Sequence, residues 1–437
     1  MWPYYPDLLE TPVPRYTSFP TAAEFGPGVG AAEADAALRS VSGDVSLYVH
    51  IPFCEQICWY CGCNTGRANK TQRLHSYLEA LHRDIAITGT RLDGRVKVRR
   101  VAFGGGSPNA ISPTDFVRLV DALTLHTATV DPVWSIELDP RTLTREWGKV
   151  LGWVGVTNAS MGVQTFQPEL QAAIGRIQPD AEIVTATEML RRAGVSSLNF
   201  DLMYGLPGQT LDHLEATLAR TIELGADRIA LFGYAHVPHM LPRQRRIDAS
   251  ALPDQAERFA MADYGYRRLT EAGYVAIGFD HFALPHDPMA KAAAAGQVRR
   301  NFQGFTDDQA RTLIGLGASA ISCFSDLLVQ NEKNAGRYRM LLSQDVLPAA
   351  HGIVRSAEDQ RRGAVIEALL CQGEVRLDAD LALEAAGKVA PFVERGLAVL
   401  KDGTLAILPD GRPYARTIAA LFDPYRQDSL RRFSSAV

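Results

Sequence analysis

From about residue 45 to 285 the sequence alternates short apolar, β-branched runs with longer amphipathic ones. Candidate strands fall at 45–53, 98–104, 133–139, 158–163, 197–204, 228–235 and 274–280. Helical spacing fills most of the gaps, as at 71–91, 113–125, 180–193 and 211–224. Repeated strand–helix units demand a parallel sheet, because parallel neighbours need a long crossover and cannot share a tight turn. Six or seven such units suit a complete or partial barrel. In barrels the chemistry gathers on the loops that leave the C-terminal strand ends.

The first of those loops is the most loaded. Leu47–Phe53 runs directly into Cys54, Cys58, Cys61 and Cys63, four of the six cysteines of the chain. The first three are spaced C-x3-C-x2-C. Thiolates so close on one loop can converge on an iron–sulfur cluster. Four are usual for a 4Fe-4S cube; three would leave one iron open to a small molecule, and Cys63 is a candidate fourth. A zinc knuckle would want cysteine pairs at two separated places, and no second pair exists. A disulfide suits a secreted chain, and Met1–Pro6 is neither a basic nor an apolar leader. Cys323 and Cys371 are isolated and read as small buried residues.

Composition narrows the partners. With 437 residues, 46% hydrophobic and 22% charged, the chain can bury one large core and a smaller one. A net charge of −4 gives no electrostatic case for nucleic acid or an anionic membrane. No apolar run is long enough to span a bilayer. A cytoplasmic location is expected, where thiols stay reduced.

The later loops carry further candidates. Gly104-Gly105-Gly106-Ser107-Pro108 lets backbone approach a ligand closely. Glu137 sits in an apolar strand, where an unpaired carboxylate is expensive. Asp201, at the end of the fifth strand, could grip ribose hydroxyls as acidic residues do in other nucleotide sites. Arg299 and Arg300 precede Asn301-Phe302-Gln303, and arginine forks suit carboxylates. His236 and His281 are tempting acids or bases, though lone histidines are more often structural. Residues 1–40 read as an extended arm whose prolines and aromatics favour docking. From about 341 to 437 the pattern turns helical, with a hairpin at Asp402-Gly403. Those limits divide the chain into an arm (1–40), a barrel (41–340) and a C-terminal domain (341–437).

These motifs together resemble a known family. Tyr48-Val49-His50-Ile51-Pro52-Phe53-Cys54 and Cys61-Gly62-Cys63-Asn64, with Arg15–Ala22, Gly278–Ala283 and Arg299–Thr306, are similar to the oxygen-independent coproporphyrinogen III oxidases. The cysteine loop alone resembles the wider radical S-adenosylmethionine (SAM) superfamily. The resemblance implies an α/β fold: a partial (β/α)6 TIM-type radical SAM barrel with an N-terminal arm over the active-site mouth and a smaller, mostly helical C-terminal domain. It implies a 4Fe-4S cluster on Cys54, Cys58 and Cys61, with Cys63 a non-ligand needed for activity. It implies two SAM molecules. Tyr48, Tyr60, Gly105, Gly106, Ser107, Glu137, Gln164, Arg176, Asp201, Ala235 and Ile321 fall on SAM-contacting positions. Gly106, Ser107, Gln164 and Ala235 would meet the second SAM; Phe302 and Gln303 would lie at the substrate. The implied reaction converts two propionates of coproporphyrinogen III to vinyl groups with loss of two CO2. It starts from a 5′-deoxyadenosyl radical that removes a β-hydrogen. A monomer served by a flavodoxin or ferredoxin is expected. The alternative is a related haem-trafficking, haem-opening or methyl-transferring protein. Departures from the family pattern are Phe19, Ser107, Phe279 and Phe305, Gly233 in place of asparagine, and Leu284 in place of arginine.

Overall fold

The computed structural model describes residues 1–68 and 71–426. Residues 427–437 of the expected C-terminal domain lie outside them. Strands β1 (Gly43–Ile51), β2 (Val96–Gly105), β3 (Thr129–Leu138), β4 (Val156–Gln164), β5 (Ser197–Tyr204) and β6 (Arg228–Gly233) form in sequence order. Each pairs in parallel with the next. Two of the helices between them start at side-chain caps. Ser112 accepts the Asp115 N–H ahead of Pro113–His126, and Thr144 accepts the Trp147 N–H ahead of Arg145–Val154. The last seven residues of β1 are buried, as expected of a parallel strand covered on both faces.

The expected seventh strand is shorter and sits differently. Val275–Ile277 (β7) turns at Gly278, which has φ +58°, and returns as His281–Ala283 (β8). β8 pairs antiparallel with both β7 and β6, so it inserts where a seventh parallel strand would stand. The hairpin Arg299–Asn301 (β9) and Gly304–Thr306 (β10) follows. Then come Thr312–Leu316 (β11), Ile321–Cys323 (β12), Leu327–Asn331 (β13) and Ala349–Val354 (β14). β11 pairs in parallel with β1 on the side away from β2. The result is one twelve-stranded sheet, β14-β13-β12-β11-β1-β2-β3-β4-β5-β6-β8-β7, curved but not closed. It is the partial barrel that the family resemblance implies, with β9–β10 contributing to the wall of the lumen.

A second core joins the two ends of the chain. Leu9, Val13, Tyr16 and Phe19 of the arm pack with Phe305 and with the helices Ala357–Cys371 and Ala379–Glu394. Polar contacts fix the arm as well. The Trp2 N–H donates to Asp263 (2.8 Å), the Tyr5 N–H to the Tyr414 hydroxyl (2.8 Å), and the Tyr16 hydroxyl to Asp423 (2.9 Å). The C-terminal hairpin forms at the expected turn. Asp402 (φ +50°) and Gly403 (φ +76°) supply the two left-handed residues that a tight hairpin requires.

Candidate active site

A cavity of about 450 Å³ opens at the C-terminal ends of β1–β6. The cysteine loop forms one wall. Its path is set by backbone bonds: Gly66 N–H to Pro52 O (2.8 Å), Trp59 N–H to Ile174 O (3.1 Å) and Ser107 N–H to Phe53 O (2.8 Å). Cys54, Cys58, Cys61 and Cys63 all line the cavity, and all six cysteines of the chain are unpaired. Among the described residues no three acidic, histidine or cysteine side chains close on one point as a single bound ion needs. Four thiols on one wall of a cavity supply the ligand chemistry that an iron–sulfur cluster uses.

Positive charge is aimed at the central thiol. Arg176 Nη1 lies 3.2 Å and Arg141 Nη2 3.7 Å from Cys58 Sγ. Donors to sulfur stabilise a thiolate-held cluster. Both arginines also pair with buried Asp139, at 2.6 Å from Arg141 and 3.5 Å from Arg176. Against the cost of burial, Arg176 and Arg141 hold the Asp139 carboxyl below its ordinary value. Arg176 further donates to the Gly162 carbonyl (2.6 Å) and Gln178 Oε1 (3.1 Å), so most of its fork is committed to the protein. Burial pushes the Cys54 thiol up to about 11. The hydrogen bond between them pulls the Cys61 thiol below its ordinary value and pushes the Cys63 thiol above it.

The opposite walls are acidic and glycine-rich. Gly105 (φ +109°) donates its N–H to Glu137 Oε2 at 3.1 Å. Burial pushes Glu137 up to about 7, with Asp201 and Cys61 adding to it and the Gly105 N–H opposing. Burial also raises Asp201, which accepts from Ser160 Oγ (3.0 Å) and Asn199 Nδ2 (2.8 Å). Gln164 sits at φ +66° beside a bulge in β4, a conformation that a non-glycine residue holds only at a cost. Ser107 Oγ is 3.7 Å from Cys54 Sγ. Gln244 Nε2 ties the carbonyls of Tyr60 and Ala235 together, 3.0 Å from each.

Of the residues singled out from the sequence, Cys54, Cys58, Tyr60, Cys61, Cys63, Gly105, Gly106, Ser107, Glu137, Gln164, Arg176, Asp201 and Ala235 line this one cavity. Gln303 lines a second one of about 320 Å³ in the barrel lumen, which shares Glu137, Ser160, Asp201 and Phe232 with the first. Tyr48 and Phe302 pack edge to face, 4.6 Å between ring centroids, in a small cluster with Ala102 and Leu313. Ile321 begins β12 and pairs with Gln330. Tyr48, Phe302 and Ile321 line neither cavity. His236 is bonded to the Tyr234 hydroxyl (2.9 Å) and His281 to Asp280 (2.7 Å). Asp139, Arg141, Ser160 and Gln244 join the site without a motif that assigns them; an Asp-Pro-Arg run at a strand end is the available signal for the first two.

Comparison with known proteins agrees with this geometry. A model of the radical SAM superfamily matches residues 48–221. A Bradyrhizobium diazoefficiens protein named oxygen-independent coproporphyrinogen III oxidase is 38% identical, covering 98% of each chain. A Pseudomonas aeruginosa protein of the same name is 38% identical over 97% of this chain and 96% of its own. The solved structure of the Escherichia coli coproporphyrinogen III oxidase, a radical SAM enzyme, superposes with a TM-score of 0.90 at 33% identity, covering 97% of this chain and 99% of that one. The cavity's donor set fits what such enzymes carry, a 4Fe-4S cluster and SAM. The chain belongs to the oxygen-independent coproporphyrinogen III oxidase family of radical SAM enzymes.

Proposed function

We propose that this chain converts coproporphyrinogen III to protoporphyrinogen IX in haem biosynthesis, by oxidative decarboxylation without oxygen. Near-full-length similarity to relatives named for that activity carries the reading. Each propionate loses a β-hydrogen and CO2 and gains a carbon–carbon double bond. Two electrons leave: one goes with the hydrogen atom to the SAM-derived nucleoside, the other to an acceptor. When bound, the cluster and SAM supply an oxidant able to take hydrogen from an unactivated carbon, which no side chain can do.

The protein's own part is placement and exclusion. Cys54, Cys58 and Cys61 hold the cluster, and Arg141 and Arg176 neutralise charge at Cys58. Glu137 and the Gly105–Gly106 backbone take the amino-acid end of SAM, Asp201 its ribose, and Tyr60 and Ala235 its adenine. Ser107 and Gln164 reach a second SAM, and Gln303, on the wall of the lumen cavity, lies at the substrate. Cys63 serves turnover without binding iron. The docked arm, through Arg15, keeps water from the reacting carbon. A flavodoxin or ferredoxin donor, a monomeric state and a cytoplasmic location belong to the same reading.

Anaerobic turnover tests it. Reconstituted enzyme given reductant, SAM and coproporphyrinogen III should yield protoporphyrinogen IX and two 5′-deoxyadenosines per product. Nucleoside without decarboxylation would move the substrate elsewhere. Tight haem binding without turnover would favour a haem-trafficking role.

A further inference from the structure

The outer side of the cysteine loop carries positive charge that the protein leaves unpaired. The short helix Pro242–Arg246 is fixed to that loop. Gln244 Nε2 donates to the Tyr60 carbonyl (3.0 Å), and Arg243 Nη1 donates to Thr65 Oγ1 (3.3 Å). Arg245 and Arg246, the other arginines of the helix, are exposed. Arg246 Cζ lies 5.8 Å from the ring centroid of Trp59, the residue that follows Cys58. Arg67 and Arg73, also exposed, extend the patch along the other end of the loop. Arg67 stands in register with Cys54, and Arg73 Nη2 is 3.4 Å from where a Cβ on Gly66 would be.

None of these five arginines forms an ion pair with any described residue. Other exposed arginines, such as Arg39, Arg83 and Arg192, sit against carboxylates. Residues 54–68 hold one acid, Glu55, and Asp248 beside the helix is taken by the Ser250 N–H and hydroxyl. Two exposed apolar residues flank the patch. Met240 comes just before the helix, and Ile177 follows Gly175, against which the Trp59 ring packs. Arginine, methionine and an aromatic ring with few carboxylates is the composition of a protein interface. On a chain of net charge −4, this local excess selects an acidic partner. Its place says what the partner brings. The loop under the patch holds Cys54, Cys58 and Cys61, so a protein seated on Trp59 is one residue from a cluster ligand. Nucleic acid shares the negative charge but brings no electron.

We propose that the arginine helix 242–246 and the outer face of the cysteine loop form the docking surface for a small acidic one-electron carrier protein. One electron leaves the carrier, which is oxidised by one step, and the cluster is reduced by one; no bond is made or broken. This rests on the reading of Cys54, Cys58 and Cys61 as cluster ligands. The substrate is also a polyanion, so the test separates carrier from substrate.

The test uses reconstituted holoenzyme without oxygen. Wild type, Arg245→Glu, Arg246→Glu and the double variant are mixed with reduced flavodoxin and, separately, with reduced 2Fe-2S ferredoxin. Arg192→Glu, on the far face of the barrel where β5 begins, is the control variant. Freeze-quenched EPR of the reduced cluster gives the rate, and calorimetry gives the affinity for each oxidised carrier. Reduced methyl viologen, a small cation, is the control reductant. The wild-type rate with at least one carrier should fall about tenfold between about 20 mM and about 300 mM salt. At low salt the double variant should bind that carrier, and be reduced by it, about tenfold less well, with each single variant between. Arg192→Glu should match wild type. Reduction by viologen, and KM for coproporphyrinogen with viologen as reductant, should stay within about twofold in every variant.

Equal rates and affinities in wild type and the double variant overturn the inference and leave the cluster and substrate readings standing. A wild type that neither carrier reduces, or reduces without salt dependence, also overturns it. Slower reduction by viologen would place the arginines in the cluster's own environment, and a raised KM would assign them to the substrate; either result overturns the inference. Salt-dependent reduction by a carrier with no decarboxylated product keeps the docking surface and sinks the substrate reading. A glutamate variant whose melting shows a lost fold is replaced by Arg245→Gln or Arg246→Gln, for which unchanged carrier rates count against the surface.

Discussion

Gly106 is where the second strand's glycine run meets the cysteine loop, and Gly106→Ala should break the junction. A Cβ built there would lie 2.8 Å from both the carbonyl carbon and the nitrogen of Phe53, and closer still to its oxygen. All three are backbone atoms. Ordinary carbon contacts sit at about 3.5 Å, so the Phe53 peptide must retreat by ~0.7 Å. That peptide accepts the Ser107 N–H at 2.8 Å, and the Gly106 N–H is itself bonded to Ile51 O at 2.9 Å. Losing or stretching both bonds costs about 1 kcal/mol each. Overpacking adds about 1–3 kcal/mol, for a total of about 3–5 kcal/mol. For a cooperative unit of this size that is a fall of roughly 4 °C in melting temperature. Because Cys54 follows Phe53 directly, iron uptake should drop as well. Gly62→Ala, in the same loop, is the control. Its Cβ would meet only the end of the Leu241 side chain at 3.4 Å, and a change of under about 0.5 kcal/mol is expected. The assay is calorimetric melting of the iron-free protein, followed by iron content after reconstitution. If the two variants melt together and load equal iron, the close approach at Gly106 does not hold the loop.

Three further outcomes follow from the site. Glu137 titrates at about 7 in the folded protein, above its ordinary value, so the folded state holds that proton longer than the unfolded chain. Its contribution to stability is therefore present below the unfolded value and is lost as pH rises from about 5 to about 7. Urea midpoints of iron-free protein should fall less across that window for Glu137→Gln than for wild type; equal falls would contradict the assignment. Arg176→Met strands the Gly162 carbonyl and half of Asp139's pairing, and should cost about 3–5 kcal/mol. Arg220→Met, at a helix-surface pair with Asp180, should cost under about 1 kcal/mol, and chemical denaturation compares the two. Alanine at Cys54, Cys58 or Cys61 should abolish the cluster's absorbance. Cys63→Ala should keep the absorbance and lose turnover, a result that iron analysis and product assay separate.

What the sequence made legible was local. The strand ends, the Asp402-Gly403 turn and the C-x3-C-x2-C loop each declare themselves within a few residues. Thirteen of the residues named from sequence meet in one cavity because barrel strands deliver their C-terminal ends to one face. What escaped depended on distant partners. Arg141 acquires its place only when Cys58, 83 positions earlier, folds against it. The candidate strand 274–280 runs through the turn at Gly278–Asp280 and stops short of β8, because nothing in those residues announces that the chain doubles back between β6 and β7. Tyr48 faces Phe302 and not the cluster cavity, because β11 and β12 close over that side of β1. The small pocket beside the cluster cavity gathers Arg15, Asp280 and Arg416, residues that no spacing rule connects.

The most direct measurement follows one hydrogen. Coproporphyrinogen III carrying deuterium at the propionate β-carbons is turned over anaerobically, and the 5′-deoxyadenosine is examined by mass spectrometry. One deuterium in each nucleoside, with one vinyl group formed for each, is the predicted result. Unlabelled nucleoside alongside intact propionates would contradict the claim that this cavity brings a propionate β-carbon to the reacting centre.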